Sequence, residues 1–216
     1  MKILNDLQGN GGIMKKLASD ALGLSDIGAI LSPNQYEESD SYGFIRRNNG
    51  EEIKTIIKSK TDEYCFTNEA LIHVDGTSAV SKKRTVSRYP YWQNRITGVK
   101  METAGTVDLD AEIKFTLGQN HYSIDVQKKQ LSELVNLYNA LNLIEETMME
   151  NSALWEYADS SLETATAIAT KSFQRVDANN FDLSETFQKL TENSFQWKIS
   201  NREKYQVKDF GFAFNN

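Results

Sequence analysis

Three acidic residues stand two positions apart in the stretch AGTVDLDAEIKFTLG, residues 104–118. Asp108, Asp110 and Glu112 could hold a divalent cation, or could divide acid and base roles as paired carboxylates do in some hydrolases. Apolar residues alternate with these acids and continue at every second position to Leu117. Because a period of two places alternate side chains on opposite faces of a strand, the pattern predicts acids on the solvent side of a β-strand.

A calcium-binding loop would have glycine at its sixth position and glutamate at its twelfth. Counted from Asp108, these positions hold Ile113 and Gln119, so the spacing does not match. We assign no metal ligand and no catalytic role to these acids, although a metal-dependent enzyme remains a hypothesis that replacement of all three would test.

The other residues that could do chemistry are isolated from one another. His73 and His121 have no histidine or cysteine three or four positions away, which a zinc site would need. Cys65 lies between Tyr64 and Phe66 in an apolar segment, a pattern typical of a buried thiol. Phosphate loops, dinucleotide fingerprints and serine elbows are missing from the sequence. We therefore predict no catalytic residue, no cofactor and no enzymatic activity.

Composition narrows the classes of function further. With 39% hydrophobic and 25% charged residues, the 216-residue chain is typical of a soluble globular protein. Its net charge of −6 argues against nucleic-acid binding. A single cysteine cannot form an internal disulfide, and the polar start MKILNDLQGNGG is unlike a signal peptide. We expect a cytoplasmic location.

A series of short β segments begins near residue 51. Each segment ends at turn residues, and the connections are only a few residues long, which favours an antiparallel meander that closes on itself. The seven predicted strands are EIKTIIKS, EYCFT, ALIHV, RTVSRY, RITGVKME, LDAEIKFTL and HYSIDVQ.

Helical patterns flank this series. After the strands, an apolar stripe of Leu131, Leu134, Val135, Tyr138 and Leu141 predicts a helix that covers one end of a small barrel. Before the strands, residues 13–22 and 25–31 have helical spacing, and Ser25 would cap the second of these helices. The sequence thus divides into a helical leader and connection at 1–50, a barrel with its helix at 51–145, and a final region at 146–216.

The final region reads as two helices joined by the turn DANN, a helical hairpin. Ser160 and Glu163 have the spacing of a capping box, but they fit equally well inside one longer helix. Three phenylalanines at period two, Phe210, Phe212 and Phe214, predict a strand or extended arm at the end. A hairpin of this size cannot bury its apolar stripes by itself, so either the barrel or another copy of the chain must cover them.

Three ordered motifs resemble the bacterial pleckstrin-homology (PH) domain family: EYCFTNEALIHVDG, SRYPYWQNRITGVKMETAG and VDLDAEIKFTLG. The resemblance covers about residues 51–145 and leaves the first forty residues outside it. The region from about Glu146 resembles the hairpin known as the YvbH-like oligomerisation region. Together these resemblances imply a mainly β plus α fold: a PH-like seven-stranded antiparallel barrel capped by a helix and followed by an α-helical hairpin.

The resemblance also implies a function for the hairpin. We expect a homo-oligomer, in which several barrels act together as a multivalent binding or scaffold module that contacts other proteins. The expected subunit contacts are the apolar residues of the second hairpin helix, Leu183, Phe187, Leu190, Phe195 and Trp197.

An alternative is a peripheral binder of anionic lipid, because eukaryotic PH domains grip phosphoinositides with basic residues near their first strand turn. Asp62 and Glu63 follow the first lysines and weaken this match. The candidate ligand-binding residues are Lys54, Lys58, Lys60, Lys82, Lys83 and Arg84.

Overall fold

Two antiparallel sheets form the first part of the protein. A computed structural model describes residues 27–76, 84–103, 110–173 and 183–215. The first sheet has the order β1-β2-β3-β4-β5 and the second the order β6-β7-β8. Strands β2 to β8 correspond to the seven predicted strands, which are thereby confirmed. The bounds are β1 Ala29–Ile30, β2 Ile53–Lys58, β3 Asp62–Thr67, β4 Ala70–Gly76, β5 Arg84–Pro90, β6 Ile96–Glu102, β7 Asp110–Leu117 and β8 Asn120–Gln127.

The core between the sheets is formed by the apolar side chains that occur at every second position of the strands. Along β7, buried and half-buried side chains alternate, and Ile113 and Phe115 point inward. On the facing sheet, Phe66 of β3 lies with its ring centroid 6.0 Å from that of Phe115. Alternating burial of this kind produces the apolar pattern that identifies these strands in the sequence.

The sheets are joined along one side by the segment before β1. Gly28 donates its N–H to the carbonyl of Asp125 at 2.8 Å and accepts from the N–H of Gln127 at 3.1 Å, which forms a parallel bridge to β8. A Cβ at Gly28 would lie 2.7 Å from Cγ2 of Ile57, so the close approach requires glycine. Among the described residues no ladder joins β5 to β6, so the predicted meander divides into two sheets.

The prediction of a helix at residues 25–31 is wrong, since Ala29–Ile30 forms β1 and pairs with β2. Leu31 continues this pairing by donating its N–H to the carbonyl of Ile56 at 2.9 Å. The predicted helix at 13–22 lies outside the described residues. Three short 3-10 helices follow β1, at Pro33–Glu38, Tyr42–Phe44 and Arg47–Asn49.

This N-terminal segment covers the outer face of the first sheet. Its Leu31 and Ile45 form a second apolar cluster with Ile56, Cys65 and Ile72 of the sheet. The first sheet is therefore packed on both faces.

Two buried carboxylates attach the same segment to the sheet. Glu63 accepts hydrogen bonds from the backbone N–H groups of Asp40 and Ser41, at 3.1 and 2.8 Å. Glu51 accepts from the backbone N–H of Arg46 at 2.8 Å and from the Thr67 hydroxyl at 2.7 Å. These bonds satisfy acids that would otherwise be costly to bury.

Two long helices complete the described chain, α1 at Leu131–Phe173 and α2 at Leu183–Tyr205. Because α1 is continuous, Ser160 and Glu163 lie inside a helix and form no capping box. The buried residues near the start of α1 share Leu134 and Leu141 with the predicted stripe and include three others, whereas Leu131, Val135 and Tyr138 are half-buried. These buried residues are Leu134, Leu137, Ala140, Leu141 and Ile144.

The described residues form two compact units. The first, which we call the β unit, contains the residues up to Glu145 and those from Lys208 onward; the second, the helical unit, is Glu146–Val207. The prediction of a strand or extended arm at the end is wrong for Gly211–Phe214, which form a 3-10 helix within the β unit. No described helix is both long and apolar enough to cross a membrane.

Candidate functional site

The helical unit leaves several of its large apolar side chains in solvent. No described side chain between Glu146 and Val207 is buried. Phe187 and Phe195, both predicted subunit contacts, are 70% and 60% exposed. Leu190 and Trp197 are half-buried on the same helix, whereas the side chain of Leu183 lies outside the described residues.

A groove of about 890 Å³ lies within this unit, between α1 and α2. Phe187 and Leu190 of α2 line one wall, and Leu162 and Thr166 of α1 line the other. Lys198 also lines the groove and contacts Asp159 with Nζ 3.2 Å from Oδ1. The predicted contact residues Phe187 and Leu190 are thus brought together on one face.

The α1 part of the helical unit has exposed apolar residues that we did not single out in the sequence. Tyr157 and Ile168 are 70% and 61% exposed, and Met149 is 62% exposed. Tyr157 and Ile168 are eleven residues apart, close to three full turns, so they share one helix face. That spacing was the available signal, but the small and polar residues between them obscure it.

The structure separates the predicted basic residues into two groups. Lys54 lies 2.9 Å from the carboxylate of Glu52, and Lys58 lies 3.0 Å from Glu63 and 3.2 Å from Asp40. Burial tends to lower the pKa of Lys58, but hydrogen bonds and charge from Glu63 and Asp40 outweigh it, so this pKa is raised. Lys54 and Lys58 therefore form ion pairs within the fold.

The other predicted basic residues either lie at one end of the first sheet or fall outside the described residues. Lys60 is exposed in the turn between β2 and β3, and Arg84 is exposed at the start of β5, with its guanidinium against Gly76. Gly76 donates its N–H to the carbonyl of Thr61 at 3.0 Å, which brings the start of β5 near that turn. Lys82 and Lys83 lie outside the described residues.

Glu112 of β7 forms an ion pair with a lysine of the same strand. Lys114 lies 2.8 Å from Glu112 and 2.9 Å from Glu102. Hydrogen bonds from Lys114 and Ser123 lower the pKa of Glu112. Asp110 is half-buried at the start of the strand, and Asp108 lies outside the described residues. This arrangement agrees with the solvent-facing side of a strand.

In the described part of the chain, no three His, Cys, Asp or Glu side chains form a group that could hold a metal ion. His73 stacks on Tyr64 with ring centroids 4.5 Å apart and has Nε2 3.1 Å from Asp62. Cys65 is buried, and burial raises the pKa of its thiol to about 12. A protonated, inaccessible thiol is a poor nucleophile.

Comparison with known proteins places these units in context. The family model for the bacterial PH domain matches residues 21–144, and the model for the YvbH-like oligomerisation region matches residues 156–216. The first match begins thirty residues before the start we expected, and it includes β1 and the segment that covers the sheet.

Two relatives match most of the chain. The protein YvbH of Bacillus subtilis (strain 168) is 47% identical over 202 residues, which are 94% of this chain and 97% of that protein. The crystal structure of a PH domain containing bacterial protein from Exiguobacterium sibiricum 255-15 is 42% identical, with a TM-score of 0.78, and the match covers 87% of this chain and 97% of that one. The chain therefore belongs to the bacterial PH domain family and carries a YvbH-like oligomerisation region behind that domain.

Proposed function

We propose that this protein is a non-enzymatic scaffold, in which self-association of the helical unit displays several PH domains for binding to other proteins. The observation that supports this proposal most directly is the exposure of Phe187 and Phe195 in a unit where no described side chain is buried. The match of the oligomerisation region to the same residues agrees with it.

The energetic argument concerns what these side chains gain from a partner. Burying a phenylalanine side chain that is otherwise exposed contributes roughly 1.5–3 kcal/mol. Two such residues on α2, with Leu190 between them, would supply a substantial share of the free energy of association. A second copy of the chain offers the same surface in return, and association of identical surfaces is the commonest basis of homo-oligomers.

Multivalent display explains how a small PH domain that binds its ligand weakly could function. When several weak sites are linked, overall avidity can exceed that of one site by roughly 10²–10⁴ without any new contact. We infer that the ligand of each PH domain is bound weakly and that assembly supplies the strength.

The experiment uses the full chain with single substitutions on α2. Phe187→Glu and Phe195→Glu place a charge where an apolar contact is expected, and Gln188→Glu introduces the same charge at an exposed neighbouring position. Native mass spectrometry at micromolar concentration should give an oligomer for the wild-type chain and for Gln188→Glu, and smaller species for the two phenylalanine variants. A monomeric wild-type chain, or an unchanged oligomer in both phenylalanine variants, would contradict the proposal.

Point substitutions are preferable to removal of the whole region after Glu145. Residues 208–215 pack in the β unit, where the side chain of Phe210 is only 1% exposed. A chain cut at Glu145 would lose this contact, so a change in its mass or solubility would not report on the helices alone.

A further inference from the structure

The C-terminal segment, residues 208–215, packs on the β unit after the chain has passed through the whole helical unit. Its anchor is Phe210, which is 1% exposed and meets the ring of Tyr91 edge-on, with centroids 5.9 Å apart. Tyr91, in the connection between β5 and β6, is itself fully buried. Lys208 lies with Nζ 5.5 Å from the ring centroid of Trp92, the next residue in that connection.

Side chains hold this segment more than backbone pairing does. One backbone bond to the body of the β unit is present among the described contacts, from the N–H of Phe210 to the carbonyl of Asn68 at 2.7 Å. The other bonds stay inside the segment: Gly211 donates to the carboxylate of Asp209, and Ala213 donates to the carbonyl of Phe210. The segment therefore folds on itself and docks as a unit.

The buried positions of the segment follow its 3-10 geometry. Phe210 and Ala213 are three residues apart, one turn of such a helix, and both are buried, whereas Phe212 is 46% exposed. Phe214 lines an adjoining cavity of about 360 Å³ together with Leu137 of α1. Buried side chains three positions apart are also the way in which a helical peptide presents its anchors to a groove.

We propose that residues 208–215 occupy a peptide-recognition groove of the PH domain as a separable segment. The groove takes an aromatic side chain beside Tyr91 and a small side chain three positions later, and it accepts this sequence from a free peptide as well as from its own chain. The attached segment then acts as an internal ligand that competes with any peptide of the same pattern. This proposal is independent of self-association.

The test measures binding of a fluorescent peptide with the sequence of residues 206–216 to three full-length chains: wild type, Phe210→Ala and Phe212→Ala. Truncating the buried anchor weakens docking of the attached segment by roughly a hundredfold, so Phe210→Ala should bind the peptide saturably. The wild-type and Phe212→Ala chains keep their attached anchor, whose effective concentration at the groove is on the order of millimolar. They should therefore bind the peptide at least about tenfold more weakly than Phe210→Ala does. A peptide carrying Phe210→Ala should not bind.

Equal binding to all three chains would place the peptide elsewhere and overturn the proposal, as would the absence of binding to a folded Phe210→Ala chain. Should that variant not fold, a protease recognition sequence inserted between Gln206 and Val207 lets the chain fold before it is cut. The released fragment should then exchange with excess wild-type peptide in native mass spectrometry. If the fragment stays in place, or if cleavage causes a loss of structure that the peptide does not reverse, residues 208–215 are an integral part of the fold. Either result would refute the groove.

Discussion

The guanidinium of Arg88 and the carboxylate of Glu51 form an ion pair inside the β unit, with Nη1 2.7 Å from Oε1 and 3.0 Å from Oε2. The Glu51 side chain is fully buried, and that of Arg88 is 16% exposed. The pair joins the end of the N-terminal segment to β5. It therefore connects two parts of the chain that lie 37 positions apart.

Loss of one member of this pair should be strongly destabilising. Glu51→Gln leaves Arg88 charged and without its buried counterion, and removal of one partner of a buried pair costs about 3–5 kcal/mol. Glu69→Gln is the matched control, because Glu69 contacts the same guanidinium at 3.3 Å but is 26% exposed. Urea denaturation should show a large fall in the unfolding midpoint for Glu51→Gln and a small one for the control; similar falls in both would contradict this account.

The same carboxylate should contribute to acid sensitivity. Burial alone would raise the pKa of Glu51, but hydrogen bonds from Arg88, from the Arg46 backbone and from Thr67 lower it below its usual 4.5. A depressed pKa gives stability that is fully present above the unfolded value and is lost as pH falls through the folded value. The urea midpoint of the wild-type chain should therefore drop more steeply below about pH 4.5 than that of Glu51→Gln. Parallel curves would show that Glu51 is not responsible.

The joint between the two sheets should not tolerate a side chain. At Gly28 an added Cβ would lie 2.7 Å from Cγ2 of Ile57 and 2.9 Å from the carbonyl oxygen of Asp125. Overpacking of this kind costs typically about 1–3 kcal/mol, so Gly28→Ala should lower the free energy of unfolding by that amount. At Gly43 nothing lies within 4 Å of an added Cβ, and Gly43→Ala should be neutral or slightly stabilising. Equal midpoints for the two variants in urea would argue against a close approach at Gly28.

The strands were predictable because burial and sequence alternate together, as in β7. The segment before β2 was not, because the apolar spacing at Ile27, Ile30 and Leu31 suits a helix as well as a strand. Residues 29–30 form a strand because β1 pairs with β2, which lies in a distant part of the chain. Local pattern was overridden by tertiary pairing.

The C-terminal segment and the buried acids show the same limit. Phenylalanines at period two suggested a strand or extended arm, but the segment forms a 3-10 turn, and Phe210 packs beside Tyr91. Glu51 and Glu63 look like surface residues in the sequence, because the residues near them along the chain do not indicate which groups will form their hydrogen bonds. By contrast, the helical pattern around Phe187 and Phe195 could be recognised in the sequence, because a helix keeps its period whether or not its apolar residues are covered. Their role as subunit contacts stays a prediction.

The single thiol should be unreactive until the protein unfolds. Burial raises the pKa of Cys65 to about 12, so the native thiol remains protonated at pH 8. Reaction with an aromatic disulfide reagent at that pH should be slow for the native chain and fast in concentrated urea. Rapid labelling of the native chain would indicate an accessible thiolate and would require a different position for this side chain.

We predict that binding to anionic lipid depends on the candidate lysines other than Lys54 and Lys58, whose ammonium groups already contact carboxylates. Replacing Lys60, Lys82 and Lys83 together by Ala should then reduce sedimentation with phosphatidylserine vesicles several-fold. Lys54→Ala is the control, because Lys54 already lies 2.9 Å from Glu52 and should contribute little. Binding should also weaken steeply between low and physiological salt, where the Debye length falls to about 8 Å. Sedimentation that is absent from the wild-type chain, or that survives the triple replacement, would exclude these residues as a lipid site and leave protein partners as the ligands of the PH domain.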